Sequence, residues 1–405
     1  MFVWIKLFGN SVVAVRLLSV LFSSLAAGVL FLFANKHFNA KTAVYSSALF
    51  ISSNILFFYA HEARAYSLTV FLAVLATHVF FIALEKKKVS LFILLGLLDF
   101  LLIYTHYVTG LLLLYQVVYM LLADRKLLKF MAIGLALTAL LVFLRFTKKQ
   151  FALILGYHGD SANFWLQKSN AGYLKEVMGE FLGNTQVLAL IMFALYIVSC
   201  VWIFMNRKKL PAAVLSFIMV SGIGSVFILF FAGTLTPIFL DRYILFAVPF
   251  MLLIPSFFLS NIKLSFIPAG LLGIGVAFSM IKIDYTTLKS MDYSGAMPLI
   301  KDLKNDDMAI IVSTKDIAPL FTYYYSRDAF NSRKYSESLQ KENVFFASVA
   351  SDLPPDMKFK KILHVSSFDV YTDKSIDTFL NEHFFAKVSN DSYKGVKVSL
   401  YSNPR

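Results

Sequence analysis

Ten apolar runs, each close to the length that a helix needs to cross a lipid bilayer, follow one another through the first 281 positions of the chain. About 20 consecutive apolar residues span the hydrocarbon core of a membrane. Hydrophobic residues make up 58% of the 405 positions and charged residues only 15%, which excludes an ordinary soluble protein. We therefore predict a polytopic α-helical membrane protein with about ten spans, at 11–33, 42–59, 67–84, 89–104, 107–123, 128–146, 186–205, 212–232, 242–260 and 264–281.

Basic residues gather in the connections that follow the odd-numbered runs, and this asymmetry predicts how the chain is oriented. The short connections after the second, fourth and eighth runs together contain only two lysine or arginine residues, Arg64 and Arg242. Because lysine and arginine are enriched on the cytoplasmic side, these three connections should face outward from the cytoplasmic (inner) membrane. We attribute the net charge of +14 to these basic clusters, which orient the chain in the membrane. The charge is therefore not taken as a sign of a nucleic-acid partner, and none is predicted. The twelve residues on the cytoplasmic side are Lys36, Lys41, Lys86, Lys87, Lys88, Arg125, Lys126, Lys129, Arg207, Lys208, Lys209 and Lys263.

Positions 282–405 form a more polar region in which strand-like and helix-like segments alternate. Strands are predicted at 309–313, 344–349 and 361–365, an edge strand at 396–401, and helices at 317–325 and 375–384. This alternation is typical of a small α/β domain. We therefore divide the chain into a membrane domain, 1–281, and a soluble α/β domain, 282–405, which the parity of the spans makes extracytoplasmic.

The stretch Tyr-Ala-His-Glu-Ala-Arg-Ala-Tyr-Ser-Leu at 59–68 separates the second and third runs and is the strongest candidate for chemistry. It places Glu62 and Arg64 in a turn of a few residues at the outer membrane surface. Ionisable residues at such positions are uncommon and often functional. The alternative is that the two side chains pair with each other or meet lipid headgroups.

Other polar side chains are predicted at the same surface, in the other outward connections. An acid there can take a proton from a hydroxyl group, and a guanidinium group can hold a phosphate. Glu62 and Asp241 are the candidate catalytic residues. Arg242 begins a span, where it can also extend to the membrane surface or pair with Asp241. The candidate substrate-binding residues are His61, Arg64, Tyr66, His106, Tyr107, Arg242 and Tyr243.

A long connection at 147–185 contains Asp160, a further outward acid, and three apolar or aromatic residues at helical spacing, Tyr173, Val177 and Phe181. This spacing predicts a short amphipathic helix lying in the membrane interface. The connection is either a linker with aromatic anchors or a cover over the substrate.

Asp99 and His78 lie inside predicted spans. Asp99 precedes His106 by seven residues and so shares its helical face; it is either functional or hydrogen-bonded to a neighbouring helix. His78 is interpreted as a packing or helix-bonding residue. The single cysteine, Cys200, excludes an intramolecular disulfide and a cysteine-based metal site. The chain has no glycine-rich phosphate loop and no metal-binding helix motif, so no metal or cofactor is predicted and only a divalent cation stays open.

Four segments together resemble a known family. They read Leu-Phe-Gly-Asn-Ser-Val-Val-Ala-Val-Arg-Leu-Leu-Ser-Val-Leu-Phe at 7–22, His-Glu-Ala-Arg-Ala-Tyr-Ser-Leu at 61–68, Tyr-Thr-His-Tyr at 104–107 with Gly110 and Gln116 behind it, and Asp-Arg-Tyr-Ile-Leu-Phe-Ala-Val-Pro at 241–249. In this order they resemble the GT-C glycosyltransferases of the family that contains protein O-mannosyltransferases and the aminoarabinose transferases of lipid A. The likeness extends over about residues 7–255.

The resemblance implies an integral membrane enzyme, an inverting hexosyl- or pentosyltransferase. Such an enzyme moves a sugar from a polyprenyl-phosphate donor to a glycan, lipid or protein acceptor on the outer face of the cytoplasmic membrane, among membrane lipids. The residues that match the family's outward motifs by position are Glu62 and Arg64, then His106 and Tyr107, and on the donor side Arg242 and Tyr243.

One departure concerns the acid that the family usually carries in its first outer loop. This chain begins after the place of that loop, and the span count puts its N-terminus outside, which one more upstream span would correct. We expect that the sequence starts at an internal methionine. The alternatives are that Glu62 or Asp241 substitutes for the missing acid, or that the protein is inactive.

Two other classes of function compete with a glycosyltransferase. A lipid or polysaccharide transporter would place polar residues along a path through the membrane and show broken helices or repeated halves. In this sequence the polar residues are predicted at one surface, which favours the enzyme. A non-catalytic membrane scaffold that presents the α/β domain predicts that changes at Glu62 and Arg242 leave the cellular phenotype unchanged.

Overall fold

The computed structural model describes residues 2–123, 125–146, 168–182, 186–235, 238–263, 266, 270, 273–277, 281, 291–332, 334–354, 359–367, 374–384 and 386–402. The chain divides into two compact units, Met1–Ile283 and Asp284–Arg405.

The first unit is helical. Short 3₁₀ turns precede or follow several of its helices, at Tyr107–Thr109, Arg125–Leu127, Arg207–Lys209, Asp241–Tyr243 and Leu245–Ala247, and a π-helical segment, Val220–Gly224, joins α11 to α12. The helices are α1 (Phe2–Phe8), α2 (Val12–His37), α3 (Ala40–Ser52), α4 (Asn54–Ala60), α5 (Tyr66–Lys86), α6 (Val89–Thr105), α7 (Gly110–Ala123), α8 (Leu128–Arg145), α9 (Ala171–Leu182), α10 (Gln186–Asn206), α11 (Ala212–Met219), α12 (Ser225–Leu235) and α13 (Val248–Ser260).

The number of helices able to cross a membrane is smaller than predicted. Among the described residues five are long and apolar enough, namely Val12–His37, Tyr66–Lys86, Arg125–Arg145, Gln186–Lys209 and Ala212–Leu235. A sixth is obtained if α3 and α4, bent by 64°, count as one span. The prediction of about ten was therefore wrong in number. Three predicted spans are apolar helices of fewer than 18 residues, Val89–Thr105, Tyr107–Ala123 and Leu245–Ser260, and the last predicted span, 264–281, falls mostly outside the described residues.

The polypeptide bends at Ser53, between α3 and α4. Ser53 has an extended backbone, and the hydroxyl of Ser52 donates a hydrogen bond to the carbonyl oxygen of Ala48 at 2.9 Å. The local sequence Ser-Ser-Asn favours such a break, because short polar side chains compete for backbone hydrogen bonds. The bend starts a separate seven-residue helix whose last turn carries Tyr59.

Helices α6 and α8 cross where each has a glycine. A Cβ atom added at Gly96 would lie 2.3 Å from the carbonyl oxygen of Gly134, so only glycine allows this approach. The hydroxyl of Thr138 donates a hydrogen bond across the crossing to the carbonyl oxygen of Gly96 at 2.9 Å. Close contact through small residues is typical of membrane helix pairs.

The amphipathic helix predicted around Tyr173 is present as α9. Its Val177 and Phe181 are buried, and the ring of Tyr173 meets that of Phe239 at 5.8 Å. The apolar face of α9 therefore packs on the helical core of its own unit, although we expected it to face the membrane interface. Asp160 and the rest of 147–167 lie outside the described residues.

The second unit is the predicted α/β domain. Its sheet has five strands in the order β2-β1-β3-β5-β4, with β1 (Met308–Ser313) parallel to β2 (Val344–Phe346) and to β3 (Lys361–Ser367). The remaining strands β4 (Ala386–Tyr393) and β5 (Val396–Ser402) are antiparallel to their neighbours. Its helices are α14 (Tyr293–Leu303), α15 (Ala318–Tyr325), α16 (Arg327–Ser332), α17 (Tyr335–Gln340) and α18 (Lys374–Phe384).

The four predicted strands and two predicted helices of this region are confirmed, but the predicted edge strand at 396–401 is not at the edge. It is β5, which lies between β3 and the strand that sequence reasoning missed, β4. The segment Ala-Lys-Val-Ser-Asn-Asp-Ser-Tyr of β4 is mostly polar, so it carries little of the apolar alternation that reveals a half-buried strand.

Both faces of this sheet are covered. Along β1, Ile310 and Val312 join one apolar cluster, with helices α15 and α17, while Ala309 and Ile311 join another, with α18. Complete burial of all six residues of β1 explains why its sequence is continuously apolar up to Ser313.

Candidate active site

The turn at 61–65 is held between three helices. The hydroxyl of Ser19 on α2 donates a hydrogen bond to the carbonyl oxygen of Glu62 at 2.6 Å. The hydroxyl of Ser67, at the start of α5, donates to the carbonyl oxygen of Tyr59 on α4 at 3.0 Å. The backbone of the turn is therefore fixed from both sides.

Asp241 approaches this turn from a distant part of the chain. The phenol of Tyr59 donates a hydrogen bond to Asp241 Oδ2 at 2.6 Å, and Tyr59 is only 6% exposed. The ring of Tyr59 also meets the ring of Tyr66 edge to face at 4.9 Å. Hydrogen bonds from a hydroxyl group to a carboxylate are short and strong, so this contact joins two of the sequence-predicted residues through one that sequence reasoning left without a role.

Arg64 lies beside the same tyrosine pair. Its Nη1 donates to the phenol oxygen of Tyr66 at 3.4 Å. This hydrogen bond raises the pKa of Arg64, with a further contribution from the negative charge of Glu62. The side chain of Arg64 is exposed and that of Glu62 half-buried, so a fixed positive charge and an acid are both accessible next to Tyr66.

The rings of Tyr107 and Tyr243 pack around His106. The ring of His106 lies 4.5 Å from that of Tyr243 and 5.6 Å from that of Tyr107, and the guanidinium of Arg242 lies 5.7 Å from the ring centre of Tyr243. Burial, and then the charge of Arg242, lowers the pKa of His106 to about 4, so its imidazole is neutral at pH 7. Within the described structure His106 Nδ1 is buried and meets no hydrogen-bond partner.

His61 is placed differently from the other predicted residues. Its side chain is exposed, its Nδ1 lies 2.8 Å from the carbonyl oxygen of Phe57, and its ring packs on the ring of Phe57 at 4.4 Å. These contacts are with its own helix, so they do not place His61 next to Asp241 or His106.

Behind the turn with His106, the buried Asp99 of α6 meets Gln116 of α7. Gln116 Nε2 donates to Asp99 Oδ1 at 3.2 Å, and the two residues are 2% and 0% exposed. The contact ties together the helices on either side of the turn. It agrees with the helix-bonding alternative for Asp99.

Within the described residues, no group of three or more His, Cys, Asp and Glu side chains could hold a metal ion. The side chains around Asp241 and the turn at 61–65 provide two acids, two guanidinium groups, a neutral imidazole and several phenols. All of them lie at or near helix ends. This set can take up a proton and can balance the charge of a phosphate.

The second unit has a polar chain of its own. Ser313 Oγ, at the carboxyl end of β1, lies 2.9 Å from Nε2 of His364 on β3, and His364 Nδ1 lies 3.4 Å from Asp377 Oδ1 on α18. This is the hydrogen-bond order of a serine-hydrolase triad. Ser313 and His364 are, however, 0% and 3% exposed, and the buried side-chain N and O atoms among the described residues of this unit all have partners.

A unit of apolar helices with acid and guanidinium groups at its helix ends, followed by an α/β unit, defines a polytopic helical membrane protein with a second, α/β unit. The first part of the chain, residues 2–146, matches the family model described as dolichyl-phosphate-mannose-protein mannosyltransferase. That range includes the turn at 61–65 and His106, whereas Asp241 and Arg242 lie beyond it.

Two solved structures resemble the whole chain. Both are ArnT from Cupriavidus metallidurans: bound to undecaprenyl phosphate, it is 14% identical, covers 99% of this chain and 86% of its own, and has a TM-score of 0.58. In the apo state it is 14% identical, with coverage of 98% and 85% and a TM-score of 0.60. A search of curated proteins found no significant match. The resemblance inferred from the sequence is confirmed, and at this identity the structural likeness establishes the fold.

Proposed function

We propose that the protein transfers a sugar from a polyprenyl-phosphate donor to a hydroxyl-bearing acceptor, in the cluster around Asp241. The observation that carries the proposal is the hydrogen bond from Tyr59 to Asp241, which brings Asp241 to the helix directly before the turn of Glu62 and Arg64. Beside Asp241 in the chain, Tyr243 lies 4.5 Å from the ring of His106, whose buried Nδ1 meets no partner in the described structure. The similar fold of ArnT, crystallised with undecaprenyl phosphate, supports a lipid phosphate as the donor's carrier.

The transfer is a single displacement at the anomeric carbon. We adopt the alternative in which Asp241 takes the role of the acid that the family carries in its first outer loop. Asp241 accepts the proton of the acceptor hydroxyl, whose oxygen forms a bond to the anomeric carbon while the bond from that carbon to the phosphate oxygen breaks. Attack from the face opposite the phosphate inverts the configuration. The departing phosphate keeps the bonding electrons, and Arg64 and Arg242 balance its charge.

Glu62 is the second acid of the proposed site. Its carbonyl group is anchored by Ser19, while its half-buried side chain remains beside Arg64. We assign it to binding the acceptor's hydroxyl groups or sharing the proton, and the acceptor is a glycan, a lipid or a protein.

The proposed reaction takes place on the outer face of the cytoplasmic membrane. The support is the distribution of lysine and arginine, which leaves the connections of the site poor in basic residues. The second unit is then extracytoplasmic, on the acceptor's side.

The direct test measures sugar transfer in membranes from radiolabelled polyprenyl-phosphate sugars, with wild type, Glu62→Gln and Arg64→Ala. We expect transfer by wild type and a loss of about 100-fold or more in each variant. The matched control is Arg125→Ala, which removes an arginine whose Nε bonds to the carbonyl oxygen of Leu121, outside the cluster. Binding of the lipid without transfer by any form would favour a transporter or a scaffold.

A further inference from the structure

We propose that Tyr59 is a positioning residue for the transfer: it fixes one oxygen of Asp241 so that the other oxygen faces the acceptor hydroxyl. The inference rests on the proposed function, in which Asp241 takes the acceptor's proton. It assigns a role to a residue outside the matched motifs, which begin at His61 in this part of the chain.

The contact itself is specific. The phenol donates to Oδ2 at 2.6 Å, at the short end for an O–H···O hydrogen bond, and Tyr59 is 6% exposed. Burial on this scale keeps water from competing for the phenol. Among the described residues, the Asp241 carboxylate accepts this one side-chain hydrogen bond, at Oδ2. Its other oxygen, Oδ1, is available for the acceptor hydroxyl.

Tyr59 is held firmly enough to serve as an anchor. Its carbonyl oxygen accepts a hydrogen bond from Ser67 at 3.0 Å, and its ring packs edge to face on Tyr66 at 4.9 Å and on Phe58 at 5.0 Å. Because its backbone is held by a hydrogen bond and its ring by packing, Tyr59 has a fixed position. The carboxylate to which it donates is then fixed as well.

Asp241 needs such an anchor because its own segment is short. It belongs to a three-residue 3₁₀ turn, Asp241–Tyr243, and is half-buried. The bond from Tyr59 spans 182 positions in the sequence and joins this turn to α4. It therefore sets the orientation of Asp241 relative to Glu62 and Arg64, which lie in the turn that directly follows α4.

Removing only the phenol oxygen should release the carboxylate and leave the packing of the ring in place. We expect Tyr59→Phe to lower kcat about 10-fold to 30-fold, since a misplacement of about 1 Å at a reacting group costs up to about 100-fold. The KM for the lipid donor should change by less than about twofold, because Tyr59 touches the base and not the donor phosphate.

The experiment compares wild type, Tyr59→Phe, Asp241→Asn and the double variant, each as the full chain in membranes, with Tyr115→Phe as the matched control. Tyr115 is also 6% exposed in the same unit, and its phenol accepts a hydrogen bond from Ser225 at 3.2 Å, outside the cluster. Tyr115→Phe should keep wild-type kcat. In the Asp241→Asn background Tyr59→Phe should cause no additional loss, because the two residues act through one contact.

Two outcomes overturn the positioning role while leaving the proposed function intact. One is wild-type kcat in Tyr59→Phe beside an inactive Asp241→Asn. The other is an equal loss of kcat from Tyr59→Phe in both backgrounds, which would indicate a general structural effect. Full transfer by Asp241→Asn would overturn the assignment of the base, and with it the role of Tyr59.

Discussion

Two polar clusters of similar composition occur in this molecule. They differ in whether all their buried side-chain nitrogen and oxygen atoms have hydrogen-bond partners. The cluster of the membrane unit contains Asp241, a histidine and phenols; the chain in the second unit contains Asp377, His364 and Ser313. In the second unit each member meets its neighbour, and Ser313 and His364 are buried, whereas the side chain of Asp377 is 51% exposed. In the membrane unit His106 Nδ1 meets no partner in the described structure, and Asp241 is half-buried.

Completeness of hydrogen bonding separates a structural polar cluster from one that can bind a ligand. Buried polar groups are normally hydrogen-bonded, and an exception needs an explanation. Every such exception among the described residues lies in the membrane unit. A chain with the order of a catalytic triad is explained by stability when its serine and histidine are buried and bonded to each other, as Ser313 and His364 are. A buried nitrogen that meets no partner in the described structure, such as His106 Nδ1, is instead suited to a ligand.

After Asp241 itself, a large effect on transfer is expected at Arg242. Arg242→Ala removes a guanidinium group next to Asp241 and Tyr243, and we expect kcat/KM for transfer to fall about 100-fold to 1,000-fold. Radiolabelled donor in membranes gives the rate. Arg207→Ala is a suitable control, because Arg207 also lies over an aromatic ring, that of Phe204, outside the cluster. Equal losses in both variants would contradict a specific role for Arg242.

A smaller effect is expected at His106. His106→Phe keeps an aromatic ring against Tyr243 and removes the nitrogen that meets no partner in the described structure, so the KM for the donor should rise about 10-fold, the value of about one hydrogen bond to a charged group. A KM equal to that of wild type would show that the nitrogen has no ligand.

His106 also predicts a pH dependence of stability. Its pKa is lowered from 6.5 to about 4 in the folded protein, so the unfolded chain takes up the proton first as the pH falls. The neutral histidine therefore costs no stability above about pH 6.5, and stability is lost between 6.5 and 4. The thermal midpoint of wild type should fall in this window more steeply than that of His106→Phe. Parallel curves would contradict the assignment.

The smallest effect on transfer is expected in the second unit. Ser313→Ala should lower the stability of this unit by about 1–3 kcal/mol, because it leaves Nε2 of the buried His364 without its partner. Proteolysis of the second unit at increasing temperature measures this. Transfer at a temperature where the unit stays folded should remain within about twofold of wild type. Labelling of Ser313 by a fluorophosphonate would instead identify Ser313 as a nucleophile and contradict its structural role.

The sequence predicts the elements with strong periodic signals and the residues whose chemistry is unusual in a membrane. The apolar runs, the parallel strands and the polar turn at 61–65 are found in this way, because each signal lies within one short segment. Patterns within one short segment cannot reveal the contact between Tyr59 and Asp241, because the two residues are 182 positions apart in the sequence. A tyrosine in the last turn of an apolar helix, directly before a polar turn, is at most a weak signal.

Other differences have local physical causes. The Ser-Ser-Asn sequence at 52–54 breaks one apolar run into two helices, and three other runs form helices of fewer than 18 residues, so that counting apolar runs overestimates the number of spans. Strand β4 was missed because polar residues dominate it, and β5 was then assigned to the edge. The packing of α9 on its own unit depends on Phe239, which no pattern within α9 reveals.

The central claim is that chemistry belongs to the cluster around Asp241 and not to the Ser313 chain. The most direct measurement is a single turnover of a radiolabelled polyprenyl-phosphate sugar in membranes that contain wild type, Asp241→Asn or Ser313→Ala. We expect Asp241→Asn to lose about 100-fold to 10,000-fold in the rate of transfer, as for removal of a general base, and Ser313→Ala to match wild type. A wild-type rate in Asp241→Asn, or abolition of transfer in a folded Ser313→Ala, would contradict the account.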